Sequence, residues 1–240
     1  MRTLLLFVHL IALMLPATAQ KHVYEDLLVL YVDEKYDKCL MKAENYTEND
    51  ATRKDPLPYL YMSMALFEMS KREEYQEDYP KAARDALKYA EKYRKKDKDN
   101  EFFRNYEDYW AELNTMAMEE AEFYFQDAKW SKARQTYDYM IGYYPENAGA
   151  WGMLAVSQFK YNQSREAEES LVKFEEAYAA LGDLERLPQD QKKLLKMALI
   201  NLSIHQAENG MRSKAIATIE KGKDLFMDDP EFKLQYEELH

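Results

Sequence analysis

The hydrophobic positions of this 240-residue chain recur with the spacing of amphipathic helices. Trp151, Leu154 and Ala155 share one helical face, and a polar break at residues 161–164 separates them from a second helical pattern. Glycine and proline are scarce, at 6 and 7 residues. The chain therefore has few of the turn residues that a many-stranded sheet requires, and the pattern predicts an all-α protein.

Applied to the whole chain, the same periodicity predicts ten helices and a short C-terminal cap that begins at Glu231. The helices are expected near residues 22–33, 35–48, 56–71, 79–96, 102–127, 130–144, 148–161, 164–181, 189–209 and 212–227. Most of the breaks between them are short and polar, which is typical of antiparallel helical hairpins.

Two of these hairpins repeat at a fixed distance. Ala133 and Ala167 are separated by 34 residues, which is the period of the tetratricopeptide repeat. The sequence resembles that family at Trp151, Leu154, Ala155, Ala167 and Leu171. The preceding unit resembles it at Ala121, Tyr124, Ala133, Tyr137 and Pro145. In both units small residues let the two helices approach closely, and Pro145 ends the second helix.

Three further units follow the pattern less regularly. Their small residues are Cys39, Ala83 and Ala215, and the C-terminal unit places Gly210 in the turn between its helices. The resemblance implies an all-α, tetratricopeptide-like helical-hairpin solenoid of about five helix pairs plus the cap, in which each pair covers its neighbour. We expect one such domain over residues 20–240. The sequence departs from the family pattern at Gln158 and Gln206, where an aromatic residue is usual, and at Met227, where proline is expected.

The resemblance also implies where a partner binds. Family members commonly bind a protein or peptide in the concave groove lined by the first helix of each pair. Counted from the small residue of each unit, the groove positions are Tyr59, Met62, Leu66, Met69, Met118, Glu122, Phe125, Val156, Phe159, Met197, Ile200 and Ile204. This stripe is mostly apolar and rich in methionine, which suits a helix or an extended hydrophobic segment. The alternative is that the stripe belongs to the core or is covered by the cap.

The first twenty residues have the pattern of an export signal. Arg2 precedes an apolar run from Leu4 to Leu15, and residues 17–19 are Ala-Thr-Ala, the small-x-small spacing of a signal-peptidase site. We expect cleavage after Ala19 and a soluble mature protein in the periplasm or an equivalent exported compartment. Secretion, or an anchor formed by an uncleaved leader, is the alternative. The run is shorter than the roughly 20 residues of a membrane-spanning helix, and no later segment is apolar enough to span a bilayer.

The chain is acidic, with a formal net charge of -11. This charge repels nucleic acid and anionic lipid head groups, so neither is an expected partner. The densest basic stretch, residues 92–100, contains Asp97 and Asp99 and coincides with the end of a predicted helix. It is typical of a solvated C-terminal turn, where cations interact favourably with the helix dipole.

Few residues could carry out chemistry. Cys39 is the single cysteine and falls within a helical apolar pattern, where a buried structural role is the common one, although pairing between chains or a nucleophilic role is the alternative. His205 and Glu208 have the spacing of half a metal site, but a carboxylate-bridged di-metal site needs that pair twice together with further Glu residues on facing helices. Nucleophile-elbow, P-loop and zincin motifs are absent. We therefore predict a non-enzymatic protein without a metal or cofactor.

Tyrosine is unusually abundant, at 20 residues. Those spaced four apart suit the seams between helices, and Tyr124 and Tyr137 already occupy repeat positions. A tyrosine-rich surface could instead bind a glycan or another small ligand, because the ring offers contact area and the hydroxyl a hydrogen bond. The function indicated by the sequence is a scaffold for a protein partner, and a glycan-binding or small-ligand module is the alternative.

Overall fold

The computed structural model describes residues 24–240, and this part of the chain contains helices and turns but no strand. The helices are α1 (Glu25–Val32), α2 (Tyr36–Glu48), α3 (Pro56–Ser70), α4 (Ala82–Lys96), α5 (Glu107–Gln126), α6 (Trp130–Tyr143), α7 (Ala148–Lys160), α8 (Ser164–Ala180), α9 (Gln189–Glu208), α10 (Arg212–Glu220), α11 (Lys223–Phe226) and α12 (Pro230–Leu239). The predicted leader, residues 1–19, lies outside the described residues. None of the described helices is long and apolar enough to cross a bilayer.

All ten predicted helices are present, but the one expected over residues 102–127 begins later. A 3-10 turn occupies Phe103–Tyr106, and α5 starts at Glu107. The buried carboxylate of Asp97 accepts hydrogen bonds from the backbone N–H groups of Glu101, at 2.9 Å, and Phe102, at 3.1 Å. These bonds hold the loop that follows α4, and the chain passes through the 3-10 turn before α5 begins.

The helix expected over residues 212–227 is divided into α10 and α11 at Gly222. A Cβ atom on this glycine would lie 2.7 Å from a side-chain atom of Leu199 and 2.8 Å from atoms of Phe226 and Phe232. The chain therefore turns where α9 and α12 approach it most closely. The expected cap is α12, whose N-terminus is capped by the Asp229 side chain.

Four of the hairpins share one turn geometry. Each turn contains one residue in the left-handed region, with φ values of 58°, 55°, 61° and 74° at Glu34, Ala128, Asn162 and Gly210. The residue that follows the left-handed one donates its backbone N–H to the carbonyl of the residue five positions before itself, at 2.8 to 2.9 Å in every case. This bond is typical of a Schellman helix end.

The small repeat residues follow these turns at a constant distance, five residues after the left-handed one. They are Cys39, Ala133, Ala167 and Ala215, and all four are fully buried. The repeat is therefore present in the backbone of the four hairpins as well as in the sequence.

The hairpin of α3 and α4 departs from this geometry. Its connection, residues 71–81, contains a 3-10 turn at Glu73–Tyr75 and no left-handed residue. The expected small residue, Ala83, is half-buried, whereas Ala86 and Leu87 are fully buried. The position assigned to Ala83 is therefore wrong, because no turn of fixed geometry sets the register in this unit.

The two glutamines that depart from the family pattern make equivalent contacts. Ser170 donates a hydrogen bond to Gln158 at 2.7 Å, and Thr218 donates one to Gln206 at 2.8 Å. Each bond joins the first helix of a hairpin to the second. A polar pair thus replaces aromatic packing in two successive hairpins.

The helices pack in sequence-adjacent pairs, and the pairs pack on one another. Contacts between pairs join α2 to α3, α4 to α6, α6 to α7, and α7 to α9. The buried residues form two clusters, one mainly from α1 to α6 and the other from α7 to α12. Helix α7 belongs to both, because Met153 and Leu154 join the first cluster and Ala155 and Val156 join the second.

Candidate functional site

Most of the expected groove is core. Seven of the twelve predicted positions are at most 9% exposed, namely Tyr59, Met62, Leu66, Met69, Met118, Val156 and Ile200. Helix α3 is apolar on nearly every side and is buried accordingly. These seven residues pack against neighbouring helices and offer no surface to a partner, so their assignment to a binding groove is wrong, and this part of the stripe belongs to the core.

The other five predicted groove residues are half-buried: Glu122, Phe125, Phe159, Met197 and Ile204. Phe159 stacks on His205 with ring centres 4.2 Å apart, and Phe125 packs edge-on against Trp130 at 4.8 Å. Partner binding by these five residues remains a prediction, although two of the rings already contact other rings of the chain.

A cleft that the sequence pattern did not indicate runs along the first half of α5. It consists of two cavities of about 490 and 710 Å³, and both are lined by Ala111, Pro188 and Asp190. We call the pair the α5 cleft. Ala111 belongs to α5, and Asp190 belongs to the first turn of α9.

The smaller cavity lies beside the loop between α4 and α5 and is called the loop-side cavity. Its lining includes Arg94, Asn100, Phe103, Trp110 and Tyr144. The loop is held by the Asp97 carboxylate, which is 3% exposed and also accepts a hydrogen bond from the Tyr93 hydroxyl at 2.5 Å. Burial, and then this hydrogen bond to the carboxylate, raise the pKa of Tyr93 well above its ordinary value, so the hydroxyl stays a donor.

Trp110 forms the base of the loop-side cavity within a stack of rings. Phe103 covers one side, with centroids 4.8 Å apart and planes at 10°, while Tyr93 and Tyr143 stack at 5.4 and 6.0 Å. The indole N–H donates to the carbonyl of Phe103 at 2.8 Å. The rings of this stack are thus largely engaged with one another, which makes the base of the cavity rigid.

The larger cavity lies between α3 and α5 and is called the α3-side cavity. Phe67, Lys71 and Met116 contribute to its lining. The Lys71 ammonium lies 3.8 Å from the Phe67 ring centre and pairs with Glu112 at 3.0 Å. This cation is therefore already neutralised within the chain.

Asp190 is held at the junction of the two cavities by buried polar groups. The Asn114 amide donates to the Asp190 carboxylate at 2.6 Å, and the Tyr143 hydroxyl lies 3.2 Å from the Asn114 side-chain oxygen, to which it donates. Asn114 is 1% exposed and Tyr143 is fully buried. Burial raises the pKa of Tyr143 well above its usual range, so this hydroxyl remains a donor.

The lining of the α5 cleft is acidic. It contains five carboxylates and three cations, and the carboxylates are Glu107, Glu112, Glu119, Glu146 and Asp190. Of the cations, Lys71 pairs with Glu112, and Arg94 pairs with Glu146 at 3.0 Å. Arg104 is the third, on the exposed side of the 3-10 turn.

The residues singled out for chemistry lie away from this cleft. His205 stacks on Phe159, burial and the nearby Lys160 lower its pKa, and Glu208 pairs with Lys160 at 3.3 Å. The described residues include no group of three metal-ligating side chains. Cys39 is fully buried, and burial raises the pKa of its thiol to about 12, which keeps the thiol protonated and unreactive.

The tyrosines singled out by their abundance are mostly packed between helices. Tyr93, Tyr137 and Tyr143 are fully buried, and Tyr109 is 9% exposed. The Tyr109 hydroxyl is 2.6 Å from the Ser63 hydroxyl, which joins α5 to α3. These residues therefore line the seams between helices, which was one of the two interpretations of the sequence.

Comparison with known proteins yields a structural likeness alone. No family model matches the chain, and no curated protein matches it. Three solved chains do match. One is described as the TPR2AB-domain:pHSP90-complex of yeast Sti1; it is 16% identical, has a TM-score of 0.36, and the match covers 89% of this chain and 95% of that chain. By its own repeated turns and buried small residues, the described part of this chain is an all-α solenoid of tetratricopeptide-like helix pairs.

Proposed function

We propose that this chain is a non-enzymatic scaffold that docks an extended segment of a protein partner in the α5 cleft. The observation that carries the proposal is that the two cavities are adjacent and share Ala111, Pro188 and Asp190 in their linings, at α5 and the start of α9. Each cavity has the volume of a small-molecule pocket. Two such cavities in a row suit an extended chain that places a side chain in each.

The chemistry of the described residues supports binding rather than catalysis. The thiol of Cys39 is buried, and the His205 ring is stacked on Phe159. Within the cleft, two of the five carboxylates form ion pairs, and Asp190 is hydrogen-bonded to Asn114. Groups held in this way position a ligand well.

The same geometry favours a peptide over a glycan. Sugars commonly stack on a free aromatic face, whereas Trp110 is stacked between Phe103 and Tyr93. The Tyr144 hydroxyl accepts a hydrogen bond from Gln191 at 2.9 Å. The aromatic residues of the cleft thus serve as a rigid base, and the carboxylates and amides around them suit the groups of a polypeptide.

Docking is tested by filling the cleft. Peptides that bind the full chain are first selected from a displayed random library. Ala111→Trp is expected to weaken their binding by at least about tenfold, because the indole occupies the part common to both cavities. Affinities are measured by titration calorimetry after circular dichroism has shown that the variant is folded.

The matched control for this variant is Ala179→Trp, at an exposed position of α8 outside the cleft. It is expected to bind as wild type does. Equal affinity of Ala111→Trp and wild type for every selected peptide, or a library that yields no binding peptide, would show that the α5 cleft is not a docking site.

The scaffold is proposed to act in the periplasm or an equivalent exported compartment, on the evidence of the leader pattern in residues 1–19. Expressed with its own leader, the chain is expected to be cut after Ala19, so that N-terminal sequencing begins at Gln20. Ala19→Arg should leave the chain uncut, because the peptidase requires a small residue there. Retention of Met1 in the wild-type protein would contradict cleavage.

A further inference from the structure

We propose that the α5 cleft selects segments that carry a lysine or arginine, whose cation pairs with the carboxylate of Asp190. This inference rests on the proposed docking function and names the chemistry of the occupant. It follows from the position of Asp190, from the groups that hold it, and from the charge of the lining.

Among the described carboxylates of the cleft, Asp190 is the one that borders both cavities. It lines the loop-side cavity and the α3-side cavity and is half-buried. A cation that reaches it from either cavity is partly shielded from water, and this strengthens the attraction relative to a fully exposed pair.

The carboxylate is held in place before any ligand arrives. One oxygen, Oδ2, accepts the hydrogen bond from Asn114, and the described residues provide no hydrogen bond to the other oxygen, Oδ1. Asn114 is itself fixed by the buried Tyr143 hydroxyl. A group anchored by its neighbours loses little conformational freedom when it binds a ligand.

Asp190 has no cationic partner among the described residues of the cleft. Among the described residues, Lys71 is paired with Glu112 and Arg94 with Glu146, and no cation lies within ion-pair distance of Asp190. Within the part of the chain that the structure describes, Glu107 and Glu119 also have no cation within ion-pair distance. The potential of the lining is therefore negative, which favours a basic ligand in both affinity and rate of association.

The apolar part of the cleft suits the stem of a basic side chain. Lysine and arginine bury their methylene groups along apolar surface while the charge reaches a polar partner. Met116 and Pro188 provide such surface in the α3-side cavity, and Ala111 and Pro188 provide it in the loop-side cavity.

An acidic segment is the opposite candidate, because Arg94 and Arg104 both line the loop-side cavity. The Arg94 side chain is only 13% exposed and is already bound to Glu146. Arg104 would thus be the single available cation among five carboxylates. The geometry favours the basic segment, and selection of acidic peptides is one outcome of the test.

The experiment uses the displayed random library on the full chain and asks which residues are enriched. Lysine or arginine is expected at one position of the selected peptides. For such a peptide, Asp190→Asn should weaken binding about tenfold at low ionic strength and less at high ionic strength. The asparagine keeps the shape and can still accept the hydrogen bond from Asn114. Replacing the basic residue of the peptide by alanine should cost less affinity in the variant than in the wild-type protein, because only the wild type loses the ion pair.

The control is Asp108→Asn, which removes the same charge from an exposed position of α5 outside the lining of the cleft. It should leave the affinity within about twofold of wild type, because an exposed charge outside the site is screened. Enrichment of acidic residues, enrichment of no charged residue, or equal effects of the two variants overturns the pairing with Asp190. If Ala111→Trp still weakens the binding of the selected peptides in those cases, the docking proposal stands without the pairing with Asp190. If Ala111→Trp leaves their affinity unchanged, the docking proposal is overturned as well.

Discussion

Ala167→Glu is expected to lower the free energy of unfolding by more than about 4 kcal/mol, which in a chain of this size leaves little folded protein. Ala167 is fully buried in α8, and the turn that joins α7 to α8 is one of the four repeated turns. A carboxylate at this position must either lose its hydration or separate the two helices. Urea denaturation followed by circular dichroism measures the change.

The matched control is Val172→Glu on the same helix, where the side chain is 57% exposed. It adds the same charge and is expected to stay within about 0.5 kcal/mol of wild type. Similar stabilities of the two variants would show that the small repeat residue is not at a close helix contact, and the repeat spacing would then have no structural meaning.

The effect of Ala167→Glu should extend beyond its own hairpin. In a solenoid each unit is stabilised by its neighbours, and α7 contributes residues to both core clusters. Loosening the hairpin of α7 and α8 should therefore uncouple the N-terminal cluster from the C-terminal one. We expect a broadened or two-step unfolding curve in place of a single transition.

The helices were predictable from the sequence because each depends on a local pattern. The signals that indicate a helix are local in sequence. They are periodic apolar positions, small residues such as Ala133 and Ala167, and the scarcity of glycine and proline. The predicted and observed helix boundaries differ where contacts outside the local pattern shape the backbone. The loop held by the Asp97 carboxylate leads into a 3-10 turn before α5, and close packing surrounds Gly222, where the last predicted helix is divided.

The proposed binding face was less predictable than the helices. Counting from the small residues assigned Met118 to a groove, yet it is 1% exposed, while Ala111 and Met116 of the same helix line the cleft. Counting positions identifies one face of a helix, but it does not show which neighbouring helices cover that face. The cleft is closed by the start of α9, and the hydrogen bond from Asn114 to Asp190 spans 76 positions in the chain. A single sequence has no local signal for such a contact.

Gly149→Ala is expected to destabilise the fold by about 1 to 3 kcal/mol, although alanine is the better helix former by nearly 1 kcal/mol. A Cβ atom at Gly149 would lie 2.6 Å from the backbone of Leu194 and Leu195 in α9. Backbone atoms cannot move aside as a flexible side chain can. The two helices must therefore separate, which weakens the contacts around Gly152 and Ala198, where a Cβ on the glycine would be 2.7 Å from that of the alanine.

Gly142→Ala is the control, because a Cβ atom there would meet the Glu91 side chain, with the nearest atom at 2.6 Å. That side chain is 25% exposed and can rotate, whereas backbone cannot, so the variant is expected to lose less stability than Gly149→Ala. If thermal unfolding gives the two glycine variants the same shift, then α7 and α9 are not in backbone contact.

Gly149→Ala should also weaken peptide binding without altering any residue of the cleft. The backbone contact at Leu194 lies one helical turn after Asp190, so it sets the position of the first turn of α9. Displacing that turn moves the Asp190 carboxylate away from Asn114, whose hydrogen bond to it is 2.6 Å long. We expect a loss of affinity for lysine-containing peptides with little loss for peptides that lack a basic residue. An equal loss for both kinds would mean that the variant disturbs the whole cleft, and an unchanged affinity would mean that the α7–α9 contact does not position Asp190.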